Sequence, residues 1–180
     1  MPRSRNEQKS RLSETDREQI LLSELILLTD GSVNAQSKIG YGAYLAVPEP
    51  ELSLDELRTR VKVKRFEQTS STKLELQTLL WALSEIKASG RKLTVYTDSQ
   101  NIIRLPERRN RLEQNNYRSN TNKLLNNYEL YQQFYRLTDL LDCELVKVRG
   151  HQASKQKNEI GQLFTLVDKA SRKALREEPR

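Results

Sequence analysis

Leu25-Ile26-Leu27-Leu28-Thr29-Asp30 is the stretch on which the fold turns. Four consecutive apolar residues, too few for a helix face, read as a central strand buried on both sides. Asp30 closes the run and Gly31 follows it. A related pattern returns at Leu93-Thr94-Val95-Tyr96-Thr97-Asp98, a fourth strand that also closes on an aspartate, here followed by Ser99. Two strands that both end on a carboxylate suggest a sheet with acids gathered at one edge.

Working outward, Gly40 to Val47 and Thr59 to Phe66 read as two further strands, with Pro48, Glu49 and Pro50 breaking the chain between them. In the third strand Val61 and Val63 alternate with Lys62 and Lys64, so one face is solvated. Leu76, Leu79, Leu80, Leu83 and Ile86 then recur at helical spacing, and Gly90 is expected to stop that helix. Residues 126–141 form another helix, with Leu130, Phe134, Leu137 and Leu141 on one face. Cys143 to Arg149 is a fifth strand, and residues 162–176 a last helix. The order β-β-β-α-β-α-β-α predicts an α/β fold: a five-stranded mixed sheet, a three-stranded antiparallel meander plus parallel strands, flanked by helices.

Composition bounds the rest. The 180 residues suit one domain, taken as residues 20–178, behind a polar, flexible N-terminal tail at 1–19 with a weak helix start at Ser13. A net charge of +7 points to a polyanionic partner, although a basic soluble protein would carry the same charge. A single cysteine, Cys143, excludes an intrachain disulfide, and with a single histidine a Cys/His zinc site is excluded as well. There is no apolar run of membrane-spanning length and no apolar stretch of signal-peptide kind, so the expectation is a cytoplasmic protein without membrane association, and a monomer.

The acids carry the chemistry. Glu75 sits in the first long helix in line with Leu79 and Ala82, on the border of its apolar stripe; Asp168 sits in the last helix in line with Phe164 and Leu175. Carboxylates near a core edge without a local cation are costly unless a bound cation compensates. Each has a plain explanation alone: Asp-Gly is a common turn, Thr-Asp-Ser a common helix start, and an acid on a helix is usually solvated. The weight lies in the joint pattern of Asp30, Asp98, Glu75 and Asp168, with the sole histidine, His151, just after the fifth strand.

Thr29-Asp30-Gly31-Ser32 with Gly40-Tyr41-Gly42-Ala43, then Leu74-Glu75-Leu76, Tyr96-Thr97-Asp98-Ser99-Gln100, Val148-Arg149-Gly150-His151 and Val167-Asp168-Lys169-Ala170 resemble the successive motifs of the type 1 ribonuclease H family, over residues 24–177. The resemblance implies a ribonuclease H-like fold and hydrolysis of the RNA strand of an RNA–DNA hybrid, leaving 5′-phosphate and 3′-hydroxyl ends. It implies two Mg²⁺ ions, replaceable by Mn²⁺, with Asp30 and Asp98 shared, Glu75 on one ion and Asp168 on the other, and His151 as a mobile catalytic histidine. All-oxygen ligand sets suit these cations, and two ions about 3.5–4 Å apart clamp an in-line phosphoryl displacement. For His151 a buried structural role is the alternative. Asp168 follows His151 at a longer distance than is usual in the family, which leaves Glu159 as a competing ligand.

Substrate contacts follow from the same resemblance. Glu75, Gln100 and the backbone beside Asp30 would face ribose 2′-hydroxyls, the feature that tells a hybrid from duplex DNA. Ser70, Ser71 and Thr72 would bind the DNA strand, or simply cap the helix they precede. Residues 104–123 hold Arg104, Arg108, Arg109, Arg111, Arg118 and Lys123 against Glu107 and Glu113, a local excess of four positive charges, in the place of the family's basic protrusion. Arg108, Arg109 and Arg111 are the candidate hybrid contacts. Tyr128, Tyr131 and Tyr135 form a stripe that would line a DNA groove or pack on the core. A nuclease of the same fold acting on DNA, and a nucleic-acid-binding module without turnover, are the alternative functions.

Overall fold

The computed structural model describes residues 24–48, 52–86, 88, 90–148 and 159–179. The tail, Arg149, Gly150, His151 and Asn158 lie outside the described residues. Among the described residues a single sheet has the order β3-β2-β1-β4-β5. Its strands are β1 Glu24–Asn34, β2 Ile39–Val47, β3 Lys62–Phe66, β4 Lys92–Thr97 and β5 Cys143–Lys147. β1, β2 and β3 form the antiparallel meander, while β4 pairs parallel to β1 and β5 parallel to β4. The mixed sheet expected from the sequence is therefore present.

Six helices flank it among the described residues: α1 Leu54–Arg60, α2 Ser71–Glu85, α3 Gln100–Ile103, α4 Leu105–Gln114, α5 Tyr128–Leu140 and α6 Glu159–Arg176. Side-chain alternation along the strands sorts them into two layers. Leu25, Leu27 and Tyr44 face α2 and α5, where Leu76, Leu79, Leu80, Leu83 and Phe134 complete one core. Leu28, Ala43, Leu45 and Val47 face α6 and α1, where Leu163, Phe164, Leu166, Val167 and Leu57 complete the other. β1 is buried on both faces because it lies third in the sheet with a helical layer on each side.

Several boundaries differ from expectation for local reasons. Thr59 and Arg60 are the last turn of α1, not the start of β3. That helix starts at a capping box, in which Ser53 accepts from the Glu56 N–H and Glu56 reaches back to the Ser53 N–H. α2 ends at Glu85, before Gly90, whose positive φ of 73° instead serves the turn into β4. β1 continues past Asp30 to Asn34 because its pairing with β2 extends that far, whereas its register with β4 ends at Leu28 and Tyr96. Within residues 104–123 α4 occupies the first half, and a bridge between Arg118 and Leu124 closes the turn after it. The tyrosine stripe packs inward, with Tyr131 and Tyr135 buried and Tyr128 packed against the same core.

The glycines of Gly40-Tyr41-Gly42 set the distance between α2 and the sheet. A Cβ at Gly42 would stand 2.0 Å from Thr78 Oγ1, and one at Gly40 2.7 Å from Leu74 Cδ2. Only bare backbone lets the helix that carries Glu75 come this close.

Candidate active site

The site is built by two strands that share one register. β1 and β4 run parallel, and their last paired residues are Leu28 and Tyr96. Two residues beyond each come Asp30 and Asp98, so both acids project past the same edge and, by alternation, on the face of Leu28 and Tyr96 that meets α6. β5 continues the arrangement. The Val148 N–H donates to the Thr97 carbonyl at 2.9 Å, so the residue after β5 is held beside the end of β4.

α6 supplies the third acid. Leu163, Phe164, Leu166 and Val167 are buried, and Asp168 and Ser171 follow on the helix, aimed at β1. Ser171 is fully buried; its hydroxyl lies 3.1 Å from Asp30 Oδ2, 3.1 Å from the Asp168 carbonyl and 3.1 Å from Ser32 Oγ. Asp168 pairs with Arg172 one turn on, at 2.7 Å. Glu159, at the exposed start of the same helix, lies nine residues earlier, about 13 Å along the axis.

Glu75 arrives from the opposite layer. It is half-buried on α2, and Ser99 donates to its Oε2 at 2.5 Å. The same Ser99 oxygen accepts from the Ile102 N–H and so caps α3. One buried serine thus ties together the end of β4, the start of α3 and the Glu75 carboxylate. Gln100, the next residue, accepts from Lys147 on β5.

The electrostatics follow from this crowding. Burial pushes the Asp30 carboxyl up to about 7, and the charges of Asp98 and Asp168 push in the same direction; the Gly31 N–H and Ser171 hydroxyl offset part of this. Glu75 is raised as well, by burial first, with Asp98 adding to it and Ser99 opposing it. The fold thus holds mutually repelling carboxylates at one edge. The cost at Asp30 is at most about 4 kcal/mol. The four buried apolar side chains of α6, at about 1.5–3 kcal/mol each, outweigh it.

Such a set suits a hard divalent cation, because every donor is an oxygen and the negative charges crowd one another at a partly buried edge. Among the described residues no three such side chains are already gathered closely enough to enclose an ion. Ser99 holds Glu75 and Arg172 holds Asp168, so both rotamers are set by neighbours that a cation would have to displace or share.

The remaining expected residues are placed as follows. Ser70 is the N-cap of α2, its side chain accepting from the Lys73 N–H, while Ser71 and Thr72 are exposed on the first turn. Arg108 donates to Asn101 Oδ1 at 3.0 Å, which links α4 to the active-site helix α3. Arg109 turns toward α5, where it meets Asp139. Arg111 is exposed. His151 falls outside the described residues. Sequence reasoning missed Ser99 and Ser171. Thr97-Asp98-Ser99-Gln100 contains the signal for the first, a capping serine, but nothing local marks the second.

Comparison with known proteins agrees with this geometry. The sequence matches the family model described as RNase H over residues 23–174. A structure of the foamy viral protease-reverse transcriptase in complex with dsDNA is similar in fold, with a TM-score of 0.62 and 15% identity over 84% of this chain and 96% of that one. A second, in complex with an RNA/DNA hybrid, has a TM-score of 0.63 and 12% identity over 96% of this chain. The match there takes in only 22% of the viral chain. No curated protein sequence matches the chain. With the family model spanning the whole sheet and the helices that bring Asp30, Glu75, Asp98 and Asp168 to it, the chain belongs to the RNase H family.

Proposed function

We propose that this protein is an endonuclease that hydrolyses the RNA strand of RNA–DNA hybrids with two divalent cations, Mg²⁺ or Mn²⁺, leaving 5′-phosphate and 3′-hydroxyl ends. The observation that carries the reading is the gathering of Asp98 and Asp168 about the half-buried Asp30 at one sheet edge, which with desolvation raises the Asp30 carboxyl to about 7. Asp30 and Asp98 would hold both ions, with Glu75 and Asp168 completing one each. Bound there, the cations supply Lewis-acid activation of a water and charge stabilisation at the leaving 3′ oxygen. The closeness of Asp168 to Asp30, against the remote Glu159, favours Asp168 as the fourth ligand.

The protein's own groups orient and shield. Ser171 donates to one Asp30 oxygen, and the Gly31 N–H also bonds the carboxylate, so the group is held in place from two sides. Ser99 presents Glu75 toward the strand end. Gln100, exposed beside Asp98, would meet a ribose 2′-hydroxyl, and its amide oxygen accepts from Lys147. His151, which lies outside the described residues, would move a proton at the scissile phosphate.

The test is one cleavage assay on matched hybrid, duplex DNA and duplex RNA, with Mg²⁺ and then with EDTA. Cleavage of the hybrid RNA strand alone, lost in EDTA and in Asp98→Asn, is the expected result. Cleavage of duplex DNA would instead identify a DNA nuclease of the same fold. Binding without cleavage of any substrate would identify a module without turnover.

A further inference from the structure

The acids of the site are held unequally. Asp168 pairs with Arg172, whose side chain is half exposed, and Glu75 accepts one bond from Ser99. Asp30 is gripped from two elements at once. The Gly31 N–H donates to its carboxylate from β1, and the Ser171 hydroxyl meets Oδ2 from α6 at 3.1 Å.

Ser171 lies four residues after Val167 on the buried stripe of α6, where an apolar side chain would pack as well. It is wholly buried, and a buried hydroxyl needs partners. Three oxygens stand 3.1 Å from it: Asp30 Oδ2, Ser32 Oγ and the Asp168 carbonyl. A serine has a single proton to give. The carboxylate takes it, because a bond to a charged acceptor is about twice as strong as one between neutral groups. Ser32 Oγ then donates to Ser171. β1 itself places Ser32 for this, two residues beyond Asp30 and so on the same face of the strand. The chain of bonds leaves β1, crosses to α6 and returns, and it holds the Asp30 carboxylate against both rotation and withdrawal.

Rigidity of this kind discriminates between cations. Mg²⁺ demands near-ideal octahedral geometry at about 2.0–2.1 Å, whereas Ca²⁺ accepts more oxygens at about 2.3–2.6 Å and often draws on both oxygens of one carboxylate. To suit the larger ion, Asp30 would have to retreat by about 0.3–0.5 Å or turn to chelate. Either movement stretches its bonds to Ser171 and Gly31.

We propose that Ser171, supported by Ser32, determines cation specificity: by immobilising Asp30 it makes the site select Mg²⁺ over Ca²⁺. This rests on the reading of Asp30 as the ligand shared by both cations, since a clamp on that one side chain then constrains both positions. Ser171 is a positioning residue that acts through Asp30.

The experiment titrates the metal-free full chain calorimetrically with MgCl₂ and, separately, with CaCl₂, without nucleic acid. In Ser171→Ala the Mg²⁺ dissociation constant should rise several-fold while that for Ca²⁺ rises less or falls. The ratio of the Ca²⁺ to the Mg²⁺ constant should therefore drop by about threefold or more. Ser32→Ala keeps the bond between Ser171 and Asp30 but removes its support, and should move the ratio the same way by a smaller factor. The double variant should match Ser171→Ala, because Ser32 acts only through Ser171. Melting in EDTA checks that each variant is folded; should Ser171→Ala not fold, the ratio in Ser32→Ala decides alone. Equal weakening of both cations leaves the ratio unchanged and overturns the proposal, as does a larger shift in Ser32→Ala than in Ser171→Ala. Asp98→Asn separates the two readings. If it abolishes cation binding while the ratio in Ser171→Ala stays at the wild-type value, only the clamp fails. If it leaves both affinities unchanged, the cations bind elsewhere, and the metal reading fails together with the clamp.

Discussion

The hydroxyl of Ser171, wholly buried on α6, lies 3.1 Å from Oδ2 of Asp30 on β1, and Ser32 Oγ is within hydrogen-bond distance of the same hydroxyl. This bond opposes the rise that burial imposes on Asp30. Ser171→Ala removes it without adding bulk. A hydrogen bond to a charged group contributes about 1.5–3 kcal/mol, so a several-fold rise in the Mg²⁺ concentration for half-maximal cleavage is expected. Calorimetric titration of the metal-free protein should show the same weakening. An unchanged cation affinity would mean that Ser171 serves only helix packing.

Asp30→Asn should separate stability from function. The folded-state pKa of Asp30 lies near 7, above its ordinary 3.8, so the ionised form burdens the fold. Below about pH 4 the carboxyl is protonated in both folded and unfolded chains and costs nothing. Between pH 4 and 7 the folded state holds a proton that the unfolded state has lost, so stability falls as pH rises, and the full burden of at most about 4 kcal/mol is present above pH 7. In EDTA at pH 8, Asp30→Asn should therefore melt higher than wild type, with the gap closing toward pH 4. Mg²⁺ should raise the wild-type midpoint at pH 8 more than at pH 5. Cleavage by the variant should be abolished.

Gly42→Ala tests the close approach of α2. Its Cβ would lie 2.0 Å from Thr78 Oγ1 and 2.9 Å from Thr78 Cβ, inside a fully buried contact. Overpacking of this kind costs about 1–3 kcal/mol. Chemical denaturation should show that loss, and adding Thr78→Ala should recover part of it by clearing the space. Without recovery in the double variant, the contact is not what sets the spacing.

His151→Ala should lower turnover at saturating hybrid while leaving hybrid affinity nearly unchanged, since water can carry the proton less efficiently. Loss of the folded protein, followed by circular dichroism, would assign the histidine to the core.

The strands and the four acids were legible because both leave marks in one dimension: short β-rich runs, and aspartates or a glutamate at fixed places against them. Asp30 nevertheless proved to lie inside β1 rather than at its end, because the pairing with β2 outlasts the pairing with β4. The Ser53 and Glu56 pair is a helix-start pattern that the reading of Thr59 to Phe66 as one strand passed over. The segment 104–123 was read by its charge, which does not say which arginines face acids from another helix; Asp139 lies 30 residues from Arg109. Ser171 acts on a residue 141 positions away, and a serine within an amphipathic helix carries no local sign of that. Contacts between distant segments are properties of the packing, and periodicity is silent about them.

α6 meets the sheet through side chains: buried apolar residues against β1 and β2 and, two residues past its last turn, Glu178 clipped by Arg65 and Tyr41. Unlike a strand, it can lift from the sheet without breaking a single inter-strand hydrogen bond. Each such excursion would carry Asp168 and Ser171 away together, so opening of this one helix, short of global unfolding, disassembles the cation site. Slowed amide exchange across residues 159–178 on adding Mg²⁺ would therefore report assembly of the site directly, in a protein whose sheet amides barely respond.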